Sequence, residues 1–141
     1  MAYRVKYHRE AKSSLDAAQH DYGPTFRQET NAWLSELVSE AERGNHSLSV
    51  DAKELLEAAA DADPQSLRRS WKRWLSAPAL DKLRALLVIV RKRCPPWELR
   101  AAPRLFSVVD SFSCEIVAFY EIDHVEGRVI FRHFDGLPGQ G

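Results

Sequence analysis

After Pro96 the apolar pattern of the chain changes period, and that change restricts the fold more than any other feature. Upstream, apolar residues recur every three or four positions, as on one face of a helix. Downstream, "WELRA", "RLFSVV", "CEIVAFYEID" and "RVIFRHF" are rich in β-branched and aromatic residues, and turn-forming segments at Pro103, 110–113 and 126–127 separate them. This pattern predicts a meander of consecutive antiparallel strands. At the other end of the chain Tyr3, Val5 and Tyr7 alternate with Arg4, Lys6 and His8, a period of two that predicts a half-buried first strand. Strands at both ends and helices between them imply an α+β domain. Its mostly antiparallel sheet, an N-terminal strand plus a C-terminal meander, packs against an inserted set of helices.

The helices follow from spacing and from their stop signals. Ala11, Leu15 and Ala18 share a helical face over 9–21, and "YGPT" ends that stretch. From Pro24, the series Phe26, Thr30, Trp33, Leu34, Leu37, Val38 and Ala41 makes a strong amphipathic helix, closed by Gly44 after Arg43. A third helix, capped by Ser49 or Asp51, presents Leu55, Leu56 and Ala59. Asp63 followed by Pro64 opens a fourth. A fifth, over 79–94, carries Leu80, Leu83, Leu87 and Val90 and stops at "CPP". The 141 residues are predicted to form a single domain, large enough to bury a core without disulfides. Its helical insertion covers 45–94, and the turn-rich 136–141 is expected to be loose.

Composition excludes several classes. The longest apolar run, 85–90, is too short to span a bilayer, and the N-terminus lacks the apolar segment of a secretory signal, so no membrane role is expected. Cys94 and Cys114 fit reduced thiols in a cytoplasm, with Cys114 as inert packing in its strand, and they form no zinc pattern with a His pair. No Gly-rich phosphate loop, G-x-S-x-G or H-E-x-x-H is present, so neither cofactor nor metal is expected. The acidic pairs Asp61/Asp63 and Glu121/Asp123 are expected to be capping and solvated residues.

A net charge of zero conceals a polarised chain. Residues 1–63 hold 7 Lys/Arg against 12 Asp/Glu, whereas 64–141 hold 13 against 8. Within 68–104 the balance is 11 basic to 2 acidic. This tract begins with "RRSWKRW", in which Arg68 and Lys72, and likewise Arg69 and Arg73, stand four apart on a helix beside Trp71 and Trp74. It continues through Arg91, Lys92 and Arg93. Cations beside stacking aromatics suit single-stranded nucleic acid. The alternative is a pair of core tryptophans under solvated cations. On the predicted strands stand Arg100, Arg104, Arg128, Arg132 and His133. Arg supplies permanent charge to a phosphate, and His moves a proton near neutral pH. Simple alternation puts Arg132 and His133 on opposite faces, so that only one of them joins a given cluster.

The first strand "YRVKYH" running straight into "REAKSSL", a helical hairpin, then "WELRAA" and closing strands with "VIFRHF" resemble the RelE/ParE toxin superfamily, most of all its HigB-like branch. The resemblance covers 3–44 and 95–134. It implies a small cytoplasmic protein that cleaves mRNA on the ribosome or inhibits gyrase, with a cognate antitoxin that extends its sheet and covers its basic site. It also implies metal-independent ribonuclease chemistry, with Arg100 at the family's "ELR" arginine and Arg132 and His133 on the final strand; together with the strand residue Arg104, the arginines are expected to stabilise phosphate charge and His133 to handle protons. The chain departs from the family at Val117, where an Arg usually stands three positions before the Tyr, and in "DGLPGQG", which replaces a Lys-rich close. Two functions therefore stand side by side. One is a toxin-type protein engaging RNA or the ribosome; the other is a non-enzymatic binding module, such as an antitoxin, immunity or adaptor protein, docking through its asymmetric charge.

Overall fold

A computed structural model of the chain describes residues 2–44, 48–52, 88, 91–92, 104–111 and 114–138. The chain divides into two compact units, Met1–Ser49 with Leu105–Gly141, and Val50–Arg104. Its elements are β1 (Arg4–Tyr7), α1 (Arg9–Glu42), β2 (Val50–Asp51), β3 (Arg104–Ser111), β4 (Cys114–Asp123) and β5 (Arg128–Asp135). Of the second unit, β2, the buried Ala52 and the exposed helical residues Val88, Arg91 and Lys92 are described. Most of the predicted inserted helices, "RRSWKRW" and "WELRA" lie outside the described residues.

The first unit is an α+β arrangement of one long, kinked helix on a sheet. In that sheet β1 lies beside β5, β5 beside β4, and β4 beside β3. β4 and β5 pair antiparallel, whereas β1 pairs parallel with β5, from Arg4↔Arg128 to Tyr7↔Phe131. Only two residues join β3 to β4, a link that permits antiparallel pairing alone. The sheet is thus mostly antiparallel with one parallel edge.

The break at "YGPT" is a reversal. Gly23 adopts φ 86° and ψ −171°, outside the helical region, and Pro24 follows it. Proline disfavours helical backbone at the residue before it and suits the first turn of the helix it opens. Gln19 Nε2 donates to Thr30 Oγ1 at 2.8 Å and to Asn31 Oδ1 at 2.9 Å. In a straight helix eleven residues span roughly 16 Å, so these bonds require the limb before Gly23 to fold back on the limb after it. The second limb ends where predicted, with Gly44 at φ 69° donating its N–H to the Ala41 carbonyl at 3.1 Å.

Both limbs turn the predicted residues inward. Ala11, Leu15, Ala18, Phe26, Trp33, Leu34, Leu37 and Ala41 form one core with Ile116, Ala118, Tyr120, Ile122, Val129, Phe131 and Phe134. Phe131 is its hub, with ring centroids 5.3 Å from Tyr7, 5.4 Å from Tyr120 and 5.9 Å from Phe134. Polar groups that enter this core are partnered. Trp33 Nε1 donates to Ser107 Oγ at 3.1 Å, and Ser111 Oγ donates to Glu29 Oε2 at 2.6 Å. The Tyr120 hydroxyl meets Ser49 Oγ, and burial, reinforced by Glu40, pushes the phenol well above its ordinary pKa. The half-buried Cys114 carries a free thiol and packs against the same core.

Two expectations need correction. Val5 is 42% exposed, because β1 is an edge strand and its inner side opens on a cleft of about 500 Å³ shared with Tyr7, Leu34, Val38 and Phe131. The close of the chain is not loose throughout: Leu137 is buried and joins the core, led there by the positive φ of Gly136. Among the described residues no helix is long and apolar enough to cross a membrane.

Candidate functional site

β5 contains one residue more than its partner can match. Tyr120 pairs with Phe131 and Phe119 with His133, which leaves Arg132 as a one-residue bulge. Before the bulge, Val129 and Phe131 face the helix; after it, Phe134 does. Arg132 and His133 lie between Phe131 and Phe134, so both point to the other face of the sheet. The expectation that alternation separates them is thereby corrected: the extra residue shifts the period, and the two become neighbours on one face.

That outer face carries the opposed residues Val117 and Asp135, Phe119 and His133, Glu121 and Ile130, and Asp123 and Arg128. Val117 and Phe119 are buried, whereas Arg128, Ile130 and Arg132 are partly exposed, so the face opens toward the β4–β5 turn. Arg132 Nη2 lies 3.1 Å from Glu121 Oε1, and His133 Nε2 lies 3.0 Å from Asp135 Oδ1. Arg128 Nε approaches Asp123 Oδ2 at 3.4 Å, an ion pair rather than a directed hydrogen bond. Asp123 also accepts the backbone N–H groups of Glu126 at 3.0 Å and Val125 at 3.1 Å. The Glu126 hydrogen bond foremost, with Arg128 and Val125, holds its carboxyl below the usual carboxylate range. In the turn itself His124 Nδ1 meets the Tyr3 hydroxyl at 2.9 Å.

These side chains supply two kinds of chemistry. When neutral His133 donates its Nε2–H to Asp135, Nδ1 is left as a proton acceptor, and the carboxylate fixes the ring. Arg132 supplies a permanent cation next to it. The described cations of the face are nevertheless already occupied: Glu121 lies against Arg132 and Asp123 against Arg128, while Asp135 holds the His133 ring. Among the described residues no three His, Cys, Asp or Glu side chains converge as a metal site.

Of the predicted site residues, then, Arg132 and His133 come together on the outer face. Arg104 is the first residue of β3. Arg91 and Lys92 are exposed helical residues of the second unit. Arg68, Arg69, Lys72, Arg73, Arg93 and Arg100 lie outside the described residues. Of the three acidic partners, Glu121 and Asp123 were named from the sequence as a pair, whereas Asp135 was not. Glu121 was expected in solvent but is 8% exposed beneath Arg132. Asp123 both caps the turn, as expected of it, and pairs with Arg128. Asp135 stands two residues after His133, the spacing that puts two strand residues on one face, and that signal was available in "HFD". The chain matches no family model, no curated protein and no solved structure.

Proposed function

We propose that this chain is a RelE/ParE-like protein of the toxin–antitoxin type that engages RNA, with Arg132 and His133 on the outer sheet face as its phosphate-contacting pair. The bulge at Arg132 carries this reading, because it sets a permanent cation and a carboxylate-oriented imidazole side by side on one face. The order of elements supports it: a first strand, a helix folded back at Gly23, and closing strands are what the resemblance implies. In metal-independent RNA cleavage His133 accepts the 2′-hydroxyl proton as that oxygen attacks phosphorus, and the bond to the 5′-oxygen breaks as that oxygen takes a proton from water, giving a 2′,3′-cyclic phosphate and a 5′-hydroxyl. Arg132 stabilises the charge gathering on the phosphoryl oxygens. Arg100, from the resemblance, and Arg104, from its place on a strand, are assigned the same charge-stabilising role. The basic tract, including Arg91 and Lys92, contributes sequence-independent phosphate contacts.

A second reading, a non-enzymatic protein-binding module, draws on the charge pairing of the outer face, where every described cation already has a carboxylate partner. Expression of the chain alone in a bacterial host separates the two. The RNA reading expects slowed growth, relieved by Arg132→Ala with His133→Ala. Normal growth with abundant soluble protein, together with no affinity for single-stranded RNA at low salt, would overturn it.

A further inference from the structure

The outer face holds its own competitor for the phosphate. The Glu121 side chain is 10% exposed and the Arg132 side chain 31%, so the anion sits beneath the cation rather than beside it. Arg132 Nε is buried and makes no hydrogen bond, which leaves the Nη end of the guanidinium as the part that faces an incoming ligand. That end is the one Glu121 holds, at 3.1 Å from Nη2. Desolvation of the carboxylate strengthens its hold, since the same pair in bulk water would be weak. Arg128 and Asp123 differ: their side chains are 32% and 29% exposed and their contact is longer, so solvent screens that pair more.

From this geometry we infer that Glu121 is a resident counter-anion which sets the affinity of the face for phosphodiesters. Binding RNA at Arg132 is then an anion exchange, in which a phosphate oxygen displaces the Glu121 carboxylate from the guanidinium. The inference rests on the RNA reading above and adds its regulation. An isolated small anion cannot offset the lost ion pair, whereas a strand that places several phosphates along the protein can. Glu121 touches no substrate in this scheme; it acts through Arg132.

The test is a double-mutant cycle on the whole chain, with a short single-stranded RNA of mixed sequence as the probe. Glu121→Gln keeps the size of the side chain and an oxygen that accepts the same guanidinium N–H, so it removes the charge without releasing the Arg132 orientation. The variant is expected to bind RNA about tenfold more tightly, the equivalent of about 1.4 kcal/mol. Its log–log salt slope should steepen by about 0.7, one additional phosphate contact on a single strand. In an Arg132→Ala background the same substitution should gain clearly less, since the part of the effect that runs through the guanidinium is gone. Circular dichroism monitors the fold, and Glu121→Met, uncharged and of similar volume, replaces Gln in the cycle if the Gln variant is poorly folded. Unchanged or weaker RNA binding by a folded Glu121→Gln protein would overturn the inference, as would an equal gain in the Arg132→Ala background. If neither the parent chain nor Glu121→Gln binds RNA at low salt, the RNA reading itself falls and takes the inference with it.

Discussion

Replacing Gly23 by alanine isolates the backbone cost of folding α1 back on itself. A Cβ built at Gly23 meets no atom within 4 Å, so the substitution creates no clash. The penalty lies in the dihedrals, φ 86° and ψ −171°, a region that only glycine occupies freely. Holding another residue there costs about 1–3 kcal/mol. Restricting the unfolded chain returns about 0.4–1 kcal/mol, because alanine has fewer states to lose than glycine. The net expectation is a loss of about 1–2 kcal/mol, with urea denaturation followed by far-UV circular dichroism as the assay. With a slope of about 2 kcal/mol/M, the middle of the usual range, the midpoint should fall by about 0.5–1 M at unchanged slope. Gly44→Ala is the control: its φ is also positive, 69°, its Cβ also meets nothing, and it stands at a helix C-terminus, where the milder left-handed conformation is usual. Gly23→Ala must therefore be the more costly of the two. A Gly23→Ala protein as stable as the parent, or more stable than Gly44→Ala, would refute the fold-back geometry.

Gln19→Ala removes both N–H bonds that tie the limbs together, at Thr30 and Asn31, and leaves the buried Thr30 acceptor without this donor; thermal melts should show a loss of about 1–3 kcal/mol. The lowered pKa of Asp123 ties stability to acid pH. Below the ordinary carboxylate value the unfolded chain takes up the proton first, so stability contributed at neutral pH is lost as pH falls through the lower native value. Melts across that window should lose part of this dependence in Asp123→Asn, and an unchanged profile would contradict the assigned hydrogen bonds. Deleting Arg132 leaves Val129, Phe131 and Phe134 in simple alternation, so the shortened chain should remain soluble and unfold cooperatively. Deleting Ile130 instead sends one aromatic to the wrong face, and that chain should lose its cooperative transition.

Legibility in the sequence depended on how local each cause was. The limbs of α1 were readable because Ala11, Leu15, Ala18, Phe26, Trp33 and Leu37 hold one helical face, and Gly23–Pro24 is a local stop. The reversal rests on a contact between Gln19 and Thr30, which no period of the sequence encodes. β1 was readable from its alternation, but its parallel pairing with β5 and the exposure of Val5 follow from its place at the sheet edge. The bulge had a signal that alternation rules pass over. Val129 and Phe131 are two apart while Phe131 and Phe134 are three apart, so the apolar row of β5 slips by one residue at Arg132. That slip decides which polar side chains share the outer face. Charge pairing was the least legible part. Glu121 and Arg132 look like independent strand residues eleven apart, and only the register of β4 on β5 brings them together.

The most direct test of the account is where RNA lands. A titration of isotopically labelled protein with short single-stranded RNA, followed by backbone amide spectra, reports contacts residue by residue. Shifts are expected at Arg128, Ile130, Arg132 and His133 on β5 and at Glu121 across from them, reversed by added salt. A β5 that stays silent at saturating RNA, with shifts confined elsewhere or absent, would contradict it.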